Sequence, residues 1–524
     1  MTSRGVVAAG HPETVRAASN ILDEGGNAYD AIIAAVFAAC VVEPVLSSLG
    51  GGGFLLAAGP TLSGKERPVI YDFFTQTPKS NKAGSGLDFQ PIIADFGTAT
   101  QEFHIGLASV ATPGIVKGIF KVHSDLCTMP MTRIIEPALE LARKGFTVNR
   151  LQAYLFQVVG PIYMHSSESR AIFASIDDPK VTMGEGEHMV NPELADTLET
   201  LAKEGDDFFY RGEFASSVAD LCRINGGLLT RDDFESYQVE RRMPLAINYR
   251  GASLFTNPIP STGGILIAFA LDLLNSLDIN GMSFGSLEYI NTLVHVMDLT
   301  NQARIESGLC IDVGSKSAAE KLLNRKFLAE YQAEIINRPK SNKGTTHISI
   351  IDSDGRSASL TMSNGEGAGI ILPGTGIMLN NMLGEEDLNP MGFHRWSKDT
   401  RLSSMMAPSL LREGNGSLTV LGSGGSNRIR TAILQVLVNL LNFSMSVEEA
   451  VEAPRIHFEA NLLNMEEGFY LGDVTKLPTK YHNIKVWDDL NLFFGGTHVA
   501  KYESESRTFS GSGDPRRGGF VQIL

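Results

Sequence analysis

Two neighbouring stretches of the chain alternate between hydrophobic and polar residues with a period of two. The first is THISIID (346–352) and the second is SASLTMS (357–363). A period of two is typical of β-strands. Between them lies a polar turn in which Gly355 is free to adopt a positive φ. Two such runs around a short glycine-containing loop predict a β-hairpin.

The loop length also predicts the register of this hairpin. A three-residue loop with glycine in its last place is a favoured connection between antiparallel strands. If residues 353–355 form that loop, Ile348 faces Leu360 and Thr345 faces Ser363. The hairpin then brings two hydroxyl groups together at its open end. The competing interpretation is ordinary hydrogen bonding between strands on a solvated sheet.

A polar segment, NRPKSNKG (337–344), comes directly before this hairpin. It lacks hydrophobic residues and predicts an exposed, flexible loop. Exposed loops of this composition are favoured sites of chain cleavage. The hydroxyl pair therefore lies beside a segment suited to being cut.

Helical spacing of hydrophobic residues appears elsewhere along the chain. It predicts helices over Pro12–Asp23, over the hydrophobic run after Asn27, and over residues 428–442. The run from Ala31 to Val42 is too short to cross a bilayer, which takes about 20 residues, and favours a buried helix. The end of the chain, SGSGDPRRGG (510–519), resembles a short hairpin.

Composition narrows the class of protein. The 524 residues are 43% hydrophobic and 20% charged, which is ordinary for a globular protein. A formal net charge of -15 argues against non-specific binding to nucleic acid or to an anionic membrane. The four cysteines, at positions 40, 127, 222 and 310, are scattered, and no export signal precedes His11. Reduced thiols and a cytoplasmic location are expected.

A glycine-rich turn between a predicted strand and a predicted helix is a candidate anion site. Gly422, Gly424 and Gly425 allow close backbone approach, and the N–H groups of the following helix point at any occupant. The occupant could be a phosphate or a transition-state oxyanion. No GK[ST] ending follows, which disfavours a P-loop. The alternative is a plain turn in which Ser426 or Asn427 caps the helix.

Other motifs are weak by themselves. Ser403 and Ser404 precede an apolar turn, where loop capping is the ordinary role of such hydroxyls. Gly50–Gly53 favours tight turns and close strand packing. No histidine or cysteine spacing matches a metal site, so no metal and no cofactor are expected.

Taken together, several motifs resemble the γ-glutamyltranspeptidase family in their order along nearly the whole chain. They are GGNAYDA, VVEP…GGGGF, GTTHISIID, NGEGAG, MLNN, SSMMAP and GSGGSNRI. The resemblance implies an α/β (α+β) fold of the N-terminal-nucleophile (Ntn) hydrolase type, a four-layer αββα sandwich. It also implies a precursor that cuts itself between Gly344 and Thr345. The products would be a large subunit, 1–344, and a small subunit, 345–524, interwoven as one structural domain.

The resemblance implies roles for the remaining motifs. Freed Thr345 would be the nucleophile, with its own α-amino group as base and the hydroxyl of Ser363 beside it. An α-amino group has an ordinary pKa of about 7.7–8.0, close to the operating pH. The backbone of Gly424 and Gly425 would form the oxyanion hole. The paired serines, Ser403 and Ser404, would contact a substrate carboxylate.

The substrate-recognition positions depart from the family pattern. Phe74 stands where well-studied members have an arginine, and a phenyl ring cannot supply forked donors. Met382 replaces a glutamine or glutamate, and Asn364 lies one place from the family's asparagine. Glu385 has the spacing expected of the acid that holds the substrate ammonium, with Glu386 as the other candidate.

Three functions remain open at this point. The first is a self-processing amidohydrolase or acyltransferase that cleaves γ-glutamyl amides or similar amides. The second is an amidohydrolase on the same scaffold with a different acyl group, which Phe74 and Met382 favour. The third is an unprocessed, non-catalytic binding protein. The expected partners are a small-molecule amide or peptide and the chain's own two fragments as a heterodimer, or a dimer of such heterodimers. Nucleic acid and membrane are not expected partners.

Overall fold

The structure, a computed structural model, describes nine ranges of the chain. They are residues 3–59, 67–80, 86–95, 100–308, 316–323, 344–389, 392–469, 476–481 and 483–524. The predicted loop over 337–344 lies outside these ranges except for Gly344, and so does Cys310.

The helices over the described residues are α1 Pro12–Asp23, α2 Ala28–Val42, α3 Ile115–Leu126, α4 Met131–Ile134, α5 Glu136–Lys144, α6 Arg150–Val158, α7 Gly160–Tyr163, α8 Ser167–Phe173, α9 Pro192–Glu204, α10 Asp207–Tyr210, α11 Glu213–Asn225, α12 Arg231–Glu235, α13 Gly263–Asn275, α14 Leu287–Glu306, α15 Lys316–Leu322, α16 Arg428–Asn442 and α17 Val447–Glu452.

The strands over the described residues are β1 Gly5–Ala9, β2 Gly52–Ala58, β3 Val69–Phe73, β4 Gln90–Asp95, β5 Thr100–Ile105, β6 Phe146–Thr147, β7 His188–Met189, β8 Glu240–Arg242, β9 Leu245–Tyr249, β10 Ala252–Thr256, β11 Thr346–Asp352, β12 Ser357–Ser363, β13 Ile371–Leu372, β14 Ile377–Met378, β15 Ser409–Arg412, β16 Leu418–Gly424, β17 Ile456–Glu459, β18 Leu462–Glu466, β19 Ile484–Trp487, β20 Gly496–Glu503, β21 Thr508–Ser512 and β22 Phe520–Ile523.

Two large sheets form the centre of the molecule. The first has seven strands in the order β22-β1-β11-β12-β2-β3-β8, and the second has six in the order β21-β20-β16-β15-β10-β9. Strands β11 and β12 of the first sheet face β16 and β20 of the second. Helices α1, α2 and α3 cover the outer face of the first sheet, and α13, α16 and α17 cover that of the second. This is the four-layer αββα sandwich that the family resemblance implied.

The hairpin register predicted from the loop is confirmed. Ile348 pairs with Leu360 across β11 and β12, and the Gly355 φ is +81°. The pairing of Thr346 with Met362 puts Thr345 and Ser363 next to each other at the open end. Both strands are buried along their whole length, so the hairpin is not on a solvated sheet.

The alternation along β11 sorts residues between two interior layers. Ile348 and Ile350 pack into the hydrophobic core that includes α2. His347 and Ser349 lie on the face toward the second sheet, where Ser349 Oγ donates to the carbonyl of His498 at 3.1 Å. Ser359 Oγ on β12 likewise donates to the carbonyl of Leu421 at 3.1 Å. Buried hydroxyls thus hydrogen-bond one sheet to the other, because a buried polar group needs a partner.

The two predicted N-terminal helices begin and end close to where the pattern placed them. The helix α1 spans Pro12–Asp23, and its N-cap, His11, accepts the N–H of Glu13 through Nδ1 at 3.1 Å. The N-cap of α2 is Asn27, which forms a capping box with Asp30. Every residue of α2 is buried. No helix in the described ranges has the length and hydrophobicity that a membrane crossing requires.

The predicted hairpin at the end of the chain is wrong. Strand β21 pairs with β20 in the second sheet, whereas β22 pairs with β1 in the first. The turn at residues 513–519 therefore carries the chain from one sheet to the other. The open edge of β1 gains a hydrogen-bonding partner in this way, which a local pattern does not reveal.

Candidate active site

Two hydroxyl groups contact the peptide bond between Gly344 and Thr345. The Gly344 carbonyl oxygen accepts a hydrogen bond from Thr345 Oγ1 at 2.8 Å and another from Ser363 Oγ at 2.6 Å. The hydroxyl of Ser363 accepts the N–H of Gly365 at 3.0 Å, which fixes its orientation. Thr345 and Ser363 are both 4% exposed. The structure therefore brings together the two hydroxyls that the hairpin register predicted.

A buried acid and a buried arginine hold the start of β11. Glu43 accepts the hydroxyls of Thr346 at 2.7 Å and Thr14 at 2.9 Å, and burial raises the pKa of its carboxyl group. Arg517 Nη1 donates to the carbonyl of Thr345 at 3.3 Å. Burial lowers the pKa of Arg517 to about 10, which leaves it charged at neutral pH. Residues 345 and 346 are thus held from both sides.

The glycine-rich turn after β16 lies against the same peptide. A Cβ atom built on Gly424 would lie 2.1 Å from the Thr345 carbonyl oxygen, so only glycine allows this approach. Gly425 has a φ of +119°. Neither Ser426 nor Asn427 caps α16 through its side chain. Ser426 Oγ donates to Asp387 at 3.1 Å, and Asn427 precedes α16 without a side-chain capping bond.

A cavity of about 60 Å³ opens beside Thr345. Nine of the residues singled out in the sequence line it: Phe74, Thr345, Ser363, Met382, Glu385, Ser403, Ser404, Ser426 and Asn427. They come from both sides of the Gly344–Thr345 bond, so the fold converges on one site.

The paired serines are held by backbone contacts at the wall of the cavity. Ser403 Oγ donates to the carbonyl of Pro260 at 2.7 Å, and Ser404 Oγ accepts the N–H of Met406 at 3.0 Å. The Ser404 hydroxyl keeps its proton to donate, whereas the Ser403 hydroxyl, which already donates, keeps acceptor capacity only.

Phe74 and Met382 make part of the cavity wall apolar. Each is 1% exposed, and the ring of Phe74 stacks on that of Phe54 with centroids 5.3 Å apart. Arg401 lies behind Phe74 and donates to its carbonyl oxygen and to the hydroxyl of Tyr237. That guanidinium does not line the cavity, so it does not replace the arginine that the family pattern has at position 74.

The structure separates the acidic and amide candidates. Glu385 is 2% exposed and lines the cavity, whereas Glu386 is exposed. Gly365 leaves room for this acid: a Cβ there would lie 2.6 Å from Glu385 Oε1. Asn364 is fully buried but is not among the residues that line the cavity in the described part of the chain.

Several residues that line the cavity were missed in the sequence: Thr262, Arg304, Asp387, Leu388, Met405 and Met406. Arg304 is the most consequential, because it brings a guanidinium to the cavity from α14. Its guanidinium lies 3.9 Å from the carboxylate of Glu459. Glu459 also lies 3.5 Å from Arg430 and 3.2 Å from His457. Apart from its place on a helix, nothing in the sequence marks Arg304.

His347 and His11 have structural partners. His347 Nδ1 lies 2.8 Å from Thr361 Oγ1 and its Nε2 lies 2.9 Å from Ser349 Oγ. His11 caps α1. Over the described residues, no group of three or more potential ligands could hold a metal ion.

The arrangement suits acyl transfer at an amide. A hydroxyl lies beside a carbonyl group, a second hydroxyl donates to that carbonyl oxygen, and a glycine turn allows backbone N–H groups to approach. Preorganised donors of this kind stabilise the charge that develops on a carbonyl oxygen during attack.

Comparisons with known proteins identify relatives along nearly the whole chain. The family model of gamma-glutamyltranspeptidase matches residues 14–524. The glutathione hydrolase proenzyme of Escherichia coli (strain K12) is 29% identical over 547 residues, covering 98% of this chain and 90% of that protein. The acylase ACY 1 proenzyme of Pseudomonas sp. (strain V22) is 30% identical over 501 residues, covering 92% of this chain and 87% of that protein.

Solved structures give the same picture of the fold. Cephalosporin acylase from Bacillus halodurans superposes with a TM-score of 0.84 at 24% identity, covering 99% of this chain and 96% of that one. A chain of Helicobacter pylori gamma-glutamyltranspeptidase superposes with a TM-score of 0.53 at 25% identity, covering 62% of this chain and 91% of that one. With its family model matched from residue 14 to the last residue, this chain belongs to the γ-glutamyltranspeptidase family.

Proposed function

We propose that the chain cuts itself between Gly344 and Thr345 and then, through freed Thr345, cleaves a γ-glutamyl or similar amide. The observation that carries this proposal is the Gly344 carbonyl oxygen, which accepts hydrogen bonds from the hydroxyls of Thr345 at 2.8 Å and Ser363 at 2.6 Å. The peptide bond that must break is thus next to its nucleophile and already polarised.

In the first reaction, Thr345 Oγ attacks the carbonyl carbon of Gly344. The hydroxyl of Ser363 stabilises the developing oxyanion. The C–N bond breaks, the proton from the hydroxyl goes to the Thr345 nitrogen, and an ester forms. Water then hydrolyses the ester, which leaves a carboxylate on Gly344 and restores the Thr345 hydroxyl.

In the second reaction, Thr345 acts on a substrate amide. Its free α-amino group, with an ordinary pKa of about 7.7–8.0, accepts the hydroxyl proton at neutral pH. The N–H groups of Gly424 and Gly425 stabilise the oxyanion. The substrate amine leaves with that proton, and water or a second amine takes the acyl group from Thr345.

Charged residues in the cavity support a γ-glutamyl group as substrate. Glu385 would accept the substrate ammonium. Ser404 would donate to the α-carboxylate, and Ser403 would do so once its hydroxyl turns away from the Pro260 carbonyl, with Arg304 supplying the guanidinium that position 74 lacks. The name of the glutathione hydrolase relative agrees with this choice.

A second acyl class is favoured by the apolar wall. Phe74 and Met382 offer surface to an acyl chain rather than hydrogen bonds to a zwitterion. The 30% identical relative from Pseudomonas is named an acylase. An acyl group without the α-ammonium is therefore the alternative substrate.

The two fragments, 1–344 and 345–524, would remain together as a heterodimer, either alone or as a dimer of such heterodimers. A cytoplasmic location stays a prediction. Cell fractionation tests it.

Self-cleavage is tested on a denaturing gel with N-terminal sequencing. The wild-type chain is expected to give two fragments, one of which begins at Thr345. T345A should remain a single chain without amidase activity. A wild-type chain that stays whole would favour the binding-protein interpretation.

Four p-nitroanilides with one leaving group separate the acyl classes: γ-glutamyl, glutaryl, 4-aminobutyryl and butyryl. The γ-glutamyl group carries both an ammonium and a carboxylate, the glutaryl group only the carboxylate, the 4-aminobutyryl group only the ammonium, and the butyryl group neither. If Glu385 binds the ammonium, E385Q should lower kcat/KM only for the two substrates that carry an ammonium. If Arg304 binds the carboxylate, R304Q should lower kcat/KM only for the two substrates that carry a carboxylate. A butyryl substrate as good as γ-glutamyl would move the assignment to the apolar acyl class.

A further inference from the structure

Glu366 contacts the residue whose carbonyl group is attacked during self-cleavage. Its Oε1 accepts the N–H of Gly344 at 2.6 Å, and its side chain is 2% exposed. The family motifs compared above give this position no role. The inference rests on the proposed cut between Gly344 and Thr345.

The loop that carries Glu366 is fixed in the shape that aims this acid at Gly344. Its own N–H donates to Asn381 Oδ1 at 2.8 Å, and Asn381 is fully buried. The flanking residues Gly365 and Gly367 have φ values of +67° and +88°, which residues with a Cβ rarely adopt. A Cβ on Gly365 would also lie 2.2 Å from Asn381 Oδ1.

Gly344 has no side chain by which the fold could hold it. Its carbonyl oxygen is held by two hydroxyls and its N–H by Glu366, so both polar groups of the residue have fixed partners. A hydrogen bond to a charged acceptor is stronger than one between neutral groups. Holding reacting groups in the attack geometry lowers the entropic part of the barrier.

We propose that Glu366 is a positioning residue for self-cleavage and that its charge then expels the cut end. Before the cut, its carboxylate anchors the N–H of Gly344 and so orients the carbonyl group toward Thr345 Oγ. It neither takes nor gives a proton in this role.

After the cut, Gly344 carries a carboxylate two bonds away from the N–H that Glu366 binds. Two carboxylates this close in a buried site repel each other strongly. Arg517 interacts electrostatically with Asp514, Glu366 and Glu43, so its one charge is already shared by three acids. The new chain end is therefore driven out, and the space beside Thr345 becomes available to substrate.

Two substitutions separate the anchor from the charge. E366A removes both and should slow self-cleavage by roughly tenfold to a hundredfold, the effect of losing one charged hydrogen bond. E366Q keeps an oxygen acceptor of the same shape but loses the charge, so it should cut clearly faster than E366A and more slowly than the wild type. E505Q, which changes an exposed acid in the turn between β20 and β21, is the matched control and should behave as wild type.

The rate of self-cleavage is followed by intact mass after a pulse of synthesis. Release of the cut end is followed by carboxypeptidase trimming of the large fragment, with mass detection. The new chain end of the wild type should be trimmed quickly, whereas that of E366Q should be trimmed several-fold more slowly because its neutral amide does not repel Gly344.

Each result decides the matter. Cleavage of E366A at the wild-type rate overturns the anchor, and equal trimming of E366Q and wild type overturns the expulsion. If T345A/E366A melts well below T345A, Glu366 is structural and the proposal is wrong. A wild-type chain that is never cut before Thr345 would instead contradict the proposed function itself.

Discussion

At the scale of single residues, a missing side chain decides how closely β16 approaches Thr345, the proposed nucleophile. The Gly424 Cα faces the Thr345 carbonyl, and a Cβ would lie 2.1 Å from that oxygen and 3.0 Å from its carbon. Both contacts are with backbone atoms, which cannot rotate away as a flexible side chain can. The resemblance named this glycine for its N–H group, and the structure adds that any larger residue displaces residue 345.

G424A is therefore expected to abolish or nearly abolish both self-cleavage and amidase activity, because the two chain segments must move apart. The control is G414A, in the turn between β15 and β16, where a Cβ meets nothing within 4 Å. Gel analysis and an anilide assay are the measurements. Normal processing of G424A would show that the site tolerates the displacement.

The Ser363 hydroxyl is the second residue-scale feature, since it donates to the carbonyl oxygen that would become the oxyanion. S363A removes this donor, and loss of one such donor costs about 100-fold to 1,000-fold in rate. We expect self-cleavage to slow by that order, measured as the half-life of the uncut chain. S363T keeps the hydroxyl and should cut much faster than S363A. S357A, at the other end of β12, should cut like the wild type.

At the scale of elements, the proposed cut divides a sheet whose strands come from both fragments. Large-fragment strand β1 pairs with β11 on one side and with β22 on the other, both from the small fragment. Strand β12 pairs along seven residues with β2 of the large fragment. In the second sheet, β15 of the small fragment pairs with β10 of the large one.

Separation of the fragments would break backbone ladders in both sheets and expose their cores. We therefore expect a tag on either fragment to recover both, in equal amounts, after cutting and size exclusion in native buffer. Only denaturant should separate them. The small fragment made alone should be insoluble, since β11 and β12 would each lack a neighbour. A soluble small fragment that elutes by itself would contradict this expectation.

Local features of the sequence predict the nucleophile hairpin because its register depends on a turn of three residues. The same holds for α1 and α2, whose caps and hydrophobic spacing are local signals. Arg304 and Glu366 could not be found in this way, because their proximity to the site depends on how distant elements pack. The wrong prediction for the tail has the same cause: strand period does not indicate which sheet a strand joins.

At the scale of the whole molecule, burial of neutral histidines links stability to pH. Burial lowers the pKa values of His11, His457 and His498 to about 4 from an ordinary value of 6.5. Between these pH values the unfolded chain binds protons that the folded chain does not. The contribution of these histidines to the free energy of unfolding is therefore highest above pH 6.5. It decreases as the pH drops toward 4.

His11 allows this linkage to be tested without loss of its structural role. Its Nδ1 caps α1, and an asparagine at the N-cap accepts the same kind of hydrogen bond but does not titrate.

In the uncut T345A background, H11N should match its parent in the free energy of unfolding near neutral pH and lose less of it on acidification. The expected difference at pH 5 is about 2 kcal/mol in the free energy of unfolding, from a shift of pKa between 6.5 and about 4. Urea unfolding at pH 7.5, 6 and 5 measures it, with the T345A parent as the reference at every pH. Parallel curves for H11N and its parent would mean that folding does not lower the pKa of His11. Burial of this histidine would then not contribute to the loss of stability in acid.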